Sequence, residues 1–260
     1  MHFGVCGGPD LARLAREAGY DYWEWSVPGL LKPLENDAAF EAARGQARET
    51  GLPCPVLNLF VPNSLPITGP QADTDRLRAY VETAFVRARK AGVEQIVFGS
   101  GGARRVPDGF DPETARQQIA AFLRIAAPLA TAQGVTVLIE PLNRKDCNIL
   151  TSVRESAALM DEVNHPAIRL LADSYHFLLS DNDTDTLRAR GRQIGHTHVA
   201  TRDNRLPPGA EPCDLAPFFR ALVQGGYNGR MSFEGKLPEP RLRHLADALV
   251  LMKRLAQEAR

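Results

Sequence analysis

Short apolar runs alternate along the chain with longer segments in which apolar residues recur at helical spacing. The runs at 2–5, 21–25, 55–60, 95–98, 135–140, 169–173, 194–199 and 230–234 predict eight strands. Between them, residues 76–90 set Leu77, Tyr80, Val81, Ala84, Phe85 and Ala88 on one stripe. Residues 242–259 repeat the pattern with Leu242, Leu245, Leu249, Met252 and Leu255, so both segments predict amphipathic helices. Gly19, Gly51, Gly92 and Gly134 each follow a helical stretch and precede a strand, as a glycine that closes a helix in the left-handed region would. Gly225-Gly226 does the same before the last strand.

Eight strands alternating with helices, without a break in composition, predict an α/β protein built as a single (β/α)8 TIM barrel over residues 1–260. A doubly wound open sheet is the rival, but Gly7-Gly8-Pro9-Asp10 after the first strand lacks the spacing of a dinucleotide-binding turn. Lys+Arg and Asp+Glu both number 31, which argues against a general nucleic-acid binder. Cys6, Cys54, Cys147 and Cys213 are too scattered for a zinc or redox motif and read as reduced thiols. The start of the chain has no signal-peptide layout, and no apolar run approaches the ~20 residues that cross a bilayer. The expectation is a cytoplasmic protein with no membrane partner.

In such a barrel the chemistry sits at the C-terminal ends of the strands. Four successive strands here end in Glu140, Asp173, His198 and Glu234. Three carboxylates gathered in a partly dry site repel one another, and a dication offsets that charge. An oxygen-rich set with one nitrogen and no thiolate suits a single Mn²⁺, Mg²⁺ or Co²⁺, with Zn²⁺ also possible; Mn²⁺ is the expected ion. His196 shares a strand face with His198 but lies deeper, so His198 is the expected ligand. Asn58 and Phe60 near the end of strand three, and Glu24 and Trp25 near the end of strand two, are expected to line the pocket. Gly99-Ser100-Gly101-Gly102-Ala103-Arg104-Arg105 can be read either as an anion cradle or as a tight turn over the barrel mouth. The proline-rich loops 27–33 and 61–70 are lid candidates.

With these residues in place the sequence resembles the xylose-isomerase-like TIM-barrel superfamily of sugar isomerases and epimerases, and in motif the ketose 3-epimerases above all. The likeness runs over the whole chain and is most specific from Glu140 to Glu234. The epimerase segment Glu-x-x-Asn-Arg-x-Glu reads Glu140-Pro141-Leu142-Asn143-Arg144-Lys145-Asp146 here, with Asp in the last place. Asp-x-x-His appears as Asp173-Ser174-Tyr175-His176. Arg205 follows His198 at a spacing one residue longer than in the epimerases, and Gly235-Lys236 replaces a frequent Pro-Phe.

The resemblance implies that Glu140, Asp173, His198 and Glu234 bind the metal and that Glu140 and Glu234 move the proton. It further implies that His176 and Arg205 hydrogen-bond the substrate carbonyl and its neighbouring hydroxyl, and that Asp146 meets the first hydroxyls. The expected substrate is a small sugar or keto-polyol, and the expected assembly a homo-oligomer, dimer or tetramer. An inosose dehydratase or hydroxypyruvate-isomerase-like enzyme would use the same site, and a non-catalytic sugar-binding barrel is the alternative of another class. Endonucleases of the same superfamily need histidines on strands three and four, where this chain has none.

Overall fold

The computed structural model describes residues 1–260, and in it eight parallel strands close on themselves in sequence order, β1 pairing with both β2 and β8. The strands are β1 His2–Cys6, β2 Tyr22–Ser26, β3 Val56–Asn58, β4 Gln95–Phe98, β5 Thr136–Ile139, β6 Ile168–Asp173, β7 Ile194–Val199 and β8 Arg230–Phe233. All eight expected strands are present, with ends that move by up to two residues. The largest change is in β3, which stops at Asn58 because Leu59 adopts a left-handed backbone, φ 53°. Glu140 and Glu234 lie one residue past their strands but stay tied to the sheet, donating their N–H groups to the Phe98 and Val199 carbonyls.

Ten helices surround the barrel: α1 Pro9–Ala18, α2 Val27–Leu30, α3 Asp37–Glu49, α4 Thr74–Ala91, α5 Pro112–Gln133, α6 Val153–Val163, α7 Ser174–Leu178, α8 Thr184–Ala189, α9 Ala216–Gln224 and α10 Arg241–Glu258. The punctuating glycines do what their positions predict: Gly19, Gly51, Gly92, Gly134 and Gly226 all have positive φ. None of the helices is long and apolar enough to cross a membrane.

Two apolar regions result. A large core fills the shell between barrel and helices, including Phe60, Phe85, Phe98 and Phe122. Inside the barrel a small layer of Tyr22, Val56, Val97, Leu138 and Leu171 closes the lower half. Positions two residues further along these strands also face inward. They are Glu24, Asn58, Gly99, Glu140 and Asp173, so the barrel interior turns polar toward its C-terminal end.

The two lid candidates are pinned. The first loop begins as α2, and Arg87 donates from α4 to the carbonyls of Leu31, Lys32 and Glu35. The second is tied to the β4–α5 loop, Ile67 N–H to the Ala103 carbonyl at 2.7 Å and the Thr68 hydroxyl to the Arg105 carbonyl at 2.6 Å.

Candidate active site

Glu140, Asp173, His198 and Glu234 meet at the top of the barrel, their ligating atoms all within 4.8 Å of one another. His198 Nδ1 lies 3.2 Å from Glu140 Oε1 and 3.4 Å from Glu234 Oε2. Asp173 divides its carboxylate between two tasks. One oxygen caps α7 by accepting the Tyr175 N–H at 2.9 Å, and the other faces the cluster. Asn58 steadies Glu234, its Nδ2 donating to Oε1 at 2.9 Å.

Arg205 reaches the same acids from the loop after β7. Its Nη2 donates to Asp173 Oδ2 at 3.1 Å and to Glu234 Oε2, and its guanidinium stacks 4.7 Å above the Tyr175 ring. The Arg205 backbone is left-handed, φ 56°, and its carbonyl lies 2.1 Å from where a Cβ on residue 235 would be. Gly235 therefore stands where the epimerase pattern has proline, because this loop crosses directly over it.

The charges of the group are mutually dependent. Burial pushes the Asp173 carboxyl up, with Arg205 and His198 only partly opposing it. Burial alone would raise Glu234 too, but His198 and Arg205 hold it down at about 2. The His198 imidazole is desolvated, yet Glu24 and Glu234 push its pKa well up. A dication satisfies such a set: three carboxylates and one imidazole nitrogen converge, and one of the acids is buried against its preference for charge. Cys6 Sγ lies 3.9 Å from His198 Nε2, and burial pushes its thiol pKa well up.

His176, the third residue of α7, is buried. Its Nδ1 accepts the Asn143 N–H at 3.0 Å, which fixes the neutral tautomer with the proton on Nε2. That Nε2 lies 3.6 Å from Asp173 Oδ2. Asp146 is half-exposed at the rim and accepts from Asn143 Nδ2 at 2.9 Å.

A cavity of about 260 Å³ opens over these groups, and Asn58, Glu140, Asp146, His176, Arg205 and Glu234 all line it. Three expected pocket residues are elsewhere. Phe60 is fully buried in the outer core, 5.4 Å from Phe85 and 6.0 Å from Phe122 between ring centroids. The left-handed turn at Leu59 breaks the alternation that would have pointed Phe60 inward, and Leu59 itself lines the cavity instead. Trp25 follows the inward Glu24, so it faces out and stacks on Trp23 at 5.3 Å. Glu24 lies beneath the pocket rather than on its wall, fully buried against His196, His198 and Ser232.

The glycines of the 99–105 loop meet a steric need, and its two arginines are turned to main-chain carbonyls. A Cβ at Gly99 would lie 2.3 Å from Glu140 Oε2, and one at Gly102 would lie 2.2 Å from Asn63 Oδ1. Arg104 is buried and donates to the carbonyls of Phe98 and Glu140, at 2.9 and 2.7 Å. Arg105 donates to the Asp146 carbonyl at 2.8 Å.

A model of the xylose isomerase-like TIM barrel family matches residues 12–255. L-ribulose 3-epimerase of Methylomonas sp. (strain DH-1) is 28% identical over 242 residues, which cover 88% of this chain and 79% of that one. Hydroxypyruvate isomerase of Escherichia coli (strain K12) is 28% identical over 165 residues, covering 62% of this chain and 63% of its own. The fold is also that of D-allulose 3-epimerase from Methylomonas sp., solved in complex with D-allulose. That likeness has a TM-score of 0.83 at 23% identity, with 98% and 96% of the two chains covered.

Proposed function

The chain belongs to the xylose isomerase-like TIM barrel family, and on that premise we propose that it is a divalent-metal-dependent sugar epimerase or isomerase that moves a proton at the carbon beside a ketone. The epimerase and isomerase relatives support an enzyme of this class. The observation that carries the reading is the pairing of Glu140 and Glu234 across one imidazole edge, with Asp173 as a third acid.

Glu140, Asp173, His198 and Glu234 are the residues that would hold the ion, with Mn²⁺ the expected one. When bound, a dication supplies electrostatic stabilisation where negative charge develops on the two adjacent oxygens of an enediolate. Glu140 and Glu234 divide the proton work, one removing the proton and the other returning it. Return to the opposite face gives an epimer, and return to the neighbouring carbon gives the aldose–ketose isomer. His176 offers its Nε2–H, and Arg205 its guanidinium, to the substrate carbonyl and adjacent hydroxyl. Asp146 at the rim accepts from the sugar's first hydroxyls.

The charge of the cavity favours a neutral sugar. Arg205 is already paired with two acids, and Arg104 and Arg105 are spent on main-chain carbonyls. Arg205 is the one Lys or Arg side chain that lines the cavity, and its pairing with two acids speaks against a phosphorylated or keto-acid substrate such as hydroxypyruvate.

The test is incubation in D₂O with Mn²⁺ and a panel of a free ketose, an inosose, a sugar phosphate and hydroxypyruvate. Deuterium should enter the ketose. Glu234→Gln should lower that exchange by roughly 10²–10⁴-fold, the usual worth of a positioned acid–base group. Near-wild-type exchange by the metal-loaded Glu234→Gln protein would sink the assignment of the proton work. Exchange confined to hydroxypyruvate or the sugar phosphate would sink the neutral-sugar reading.

A further inference from the structure

Beneath the acid cluster lies a second, fully buried polar group that the proposed proton chemistry does not use. Glu24, on β2, is completely enclosed. Its Oε1 lies 3.0 Å from His198 Nε2, and its Oε2 lies 2.9 Å from His196 Nε2 and 3.2 Å from His198 Nε2. Ser232 Oγ donates to Oε2 at 2.8 Å and is itself bonded to the Tyr22 hydroxyl at 2.9 Å. Strands β2, β7 and β8 are thus joined through one carboxylate.

We infer that Glu24 is a positioning residue that sets the tautomer and ring orientation of His198, presenting its Nδ1 lone pair to the metal site; this rests on the metal-dependent reading above. A carboxylate accepts and does not donate. Each imidazole nitrogen that faces Glu24 must therefore carry a hydrogen. For His198 this holds a proton on Nε2; Nδ1 faces Glu140 and Glu234 at 3.2 and 3.4 Å, so it too carries a hydrogen here, and an ion bound among these carboxylates would take that hydrogen's place while Glu24 keeps the one on Nε2. No other strong acceptor holds Nε2 in place, since its remaining neighbour is the Cys6 sulfur at 3.9 Å. His196 shows the contrast. Its Nε2 also points at Glu24, but its Nδ1 is buried with no partner, so it anchors the carboxylate and has no route to the cavity. A carboxylate behind a metal-binding histidine also makes the ring a better donor, and losing such a partner usually costs about 10–100-fold in metal affinity.

Metal binding by the purified protein tests this, with Co²⁺ as the probe and two readouts: affinity by calorimetry and the visible d–d spectrum of the bound ion. Wild type, Glu24→Gln and Glu24→Leu are compared after circular dichroism has established which variants fold. A glutamine oxygen can still accept from His198 Nε2–H while its amide donates to Ser232 and to a His196 whose proton has moved to Nδ1, so Glu24→Gln should bind Co²⁺ about 10-fold more weakly. Glu24→Leu removes the acceptor and should lose about 100-fold with an altered spectrum. If Glu24→Leu does not fold, the Gln variant carries the test alone. Wild-type affinity and spectrum in every folded variant would overturn the role of Glu24 while leaving the metal site intact. A wild-type protein that takes up no Co²⁺ would overturn both the inference and the metal reading beneath it.

Discussion

The two ring nitrogens of His176 have separate tasks. Nδ1 accepts from the Asn143 backbone, and Nε2 turns its proton toward the cavity. Protonating Nδ1 would set two donors against each other, and burial already holds this histidine below its usual range. The sign of the pH effect follows from that depression. The unfolded chain binds a proton near pH ~6.5, whereas the folded protein resists it, so the contribution to stability is complete above that pH. It is lost as the pH falls through the depressed folded value. His176→Gln, whose side-chain oxygen can accept from Asn143, should show a shallower loss of melting temperature on acidification below pH ~6.5 than wild type does. Equal slopes in the two proteins would show that His176 does not titrate in this way. The role of Asp173 as a cluster acid was legible because it ends a strand in the inward register. The burial of His176 was not, since sequence does not reveal that Asn143 folds back over it.

At the scale of elements, the barrel succeeds or fails by where each strand ends. Position at the strand ends located Glu140, Asp173, His198 and Glu234, and period-2 alternation keeps them in the inward register. The same rule, carried past Asn58, misplaces Phe60, since alternation holds only while the backbone stays extended and Leu59 leaves that region. Trp25 fails for a simpler reason: two consecutive strand residues cannot both face the interior. In the β4–α5 loop the sequence left two roles open for the glycines, and the structure shows a steric need at Gly99 and Gly102. An added methyl at Gly99 would strike Glu140 Oε2, the far end of a side chain that can swing away. The fold should therefore survive while the site does not. Gly99→Ala is expected to keep the wild-type circular dichroism spectrum yet lose about 10²-fold in substrate deuterium exchange, the scale of loss that ~1 Å of misplacement produces. Full exchange activity in that variant would mean that Glu140 has room the present packing does not give it.

At the scale of the whole molecule, equal numbers of acidic and basic residues conceal an uneven distribution. Most ion pairs lie on the helical exterior, where each is worth little. Inside the barrel, Glu24, Glu140, Asp173 and Glu234 gather around two histidines and Arg205. The lower barrel is closed by apolar side chains, but its upper half is held by polar groups, so its stability depends on how well that charge is balanced. A ligand that binds only the folded chain must stabilise it, by about 2.7 kcal/mol at 100 times its dissociation constant. In a protein of this size each kcal/mol moves the midpoint by ~2–4 °C, so saturating Mn²⁺ should raise the melting temperature by roughly 5–10 °C. A chelator should reverse the rise. Glu234→Gln and Asp173→Asn each remove one charged ligand and weaken a pairing with Arg205, so each should retain only part of the shift. Calorimetric scans with Mn²⁺ and with chelator would check this. A wild-type midpoint indifferent to both would mean that Arg205 and His198 alone balance the buried acids, and that the upper barrel needs no cation to be stable.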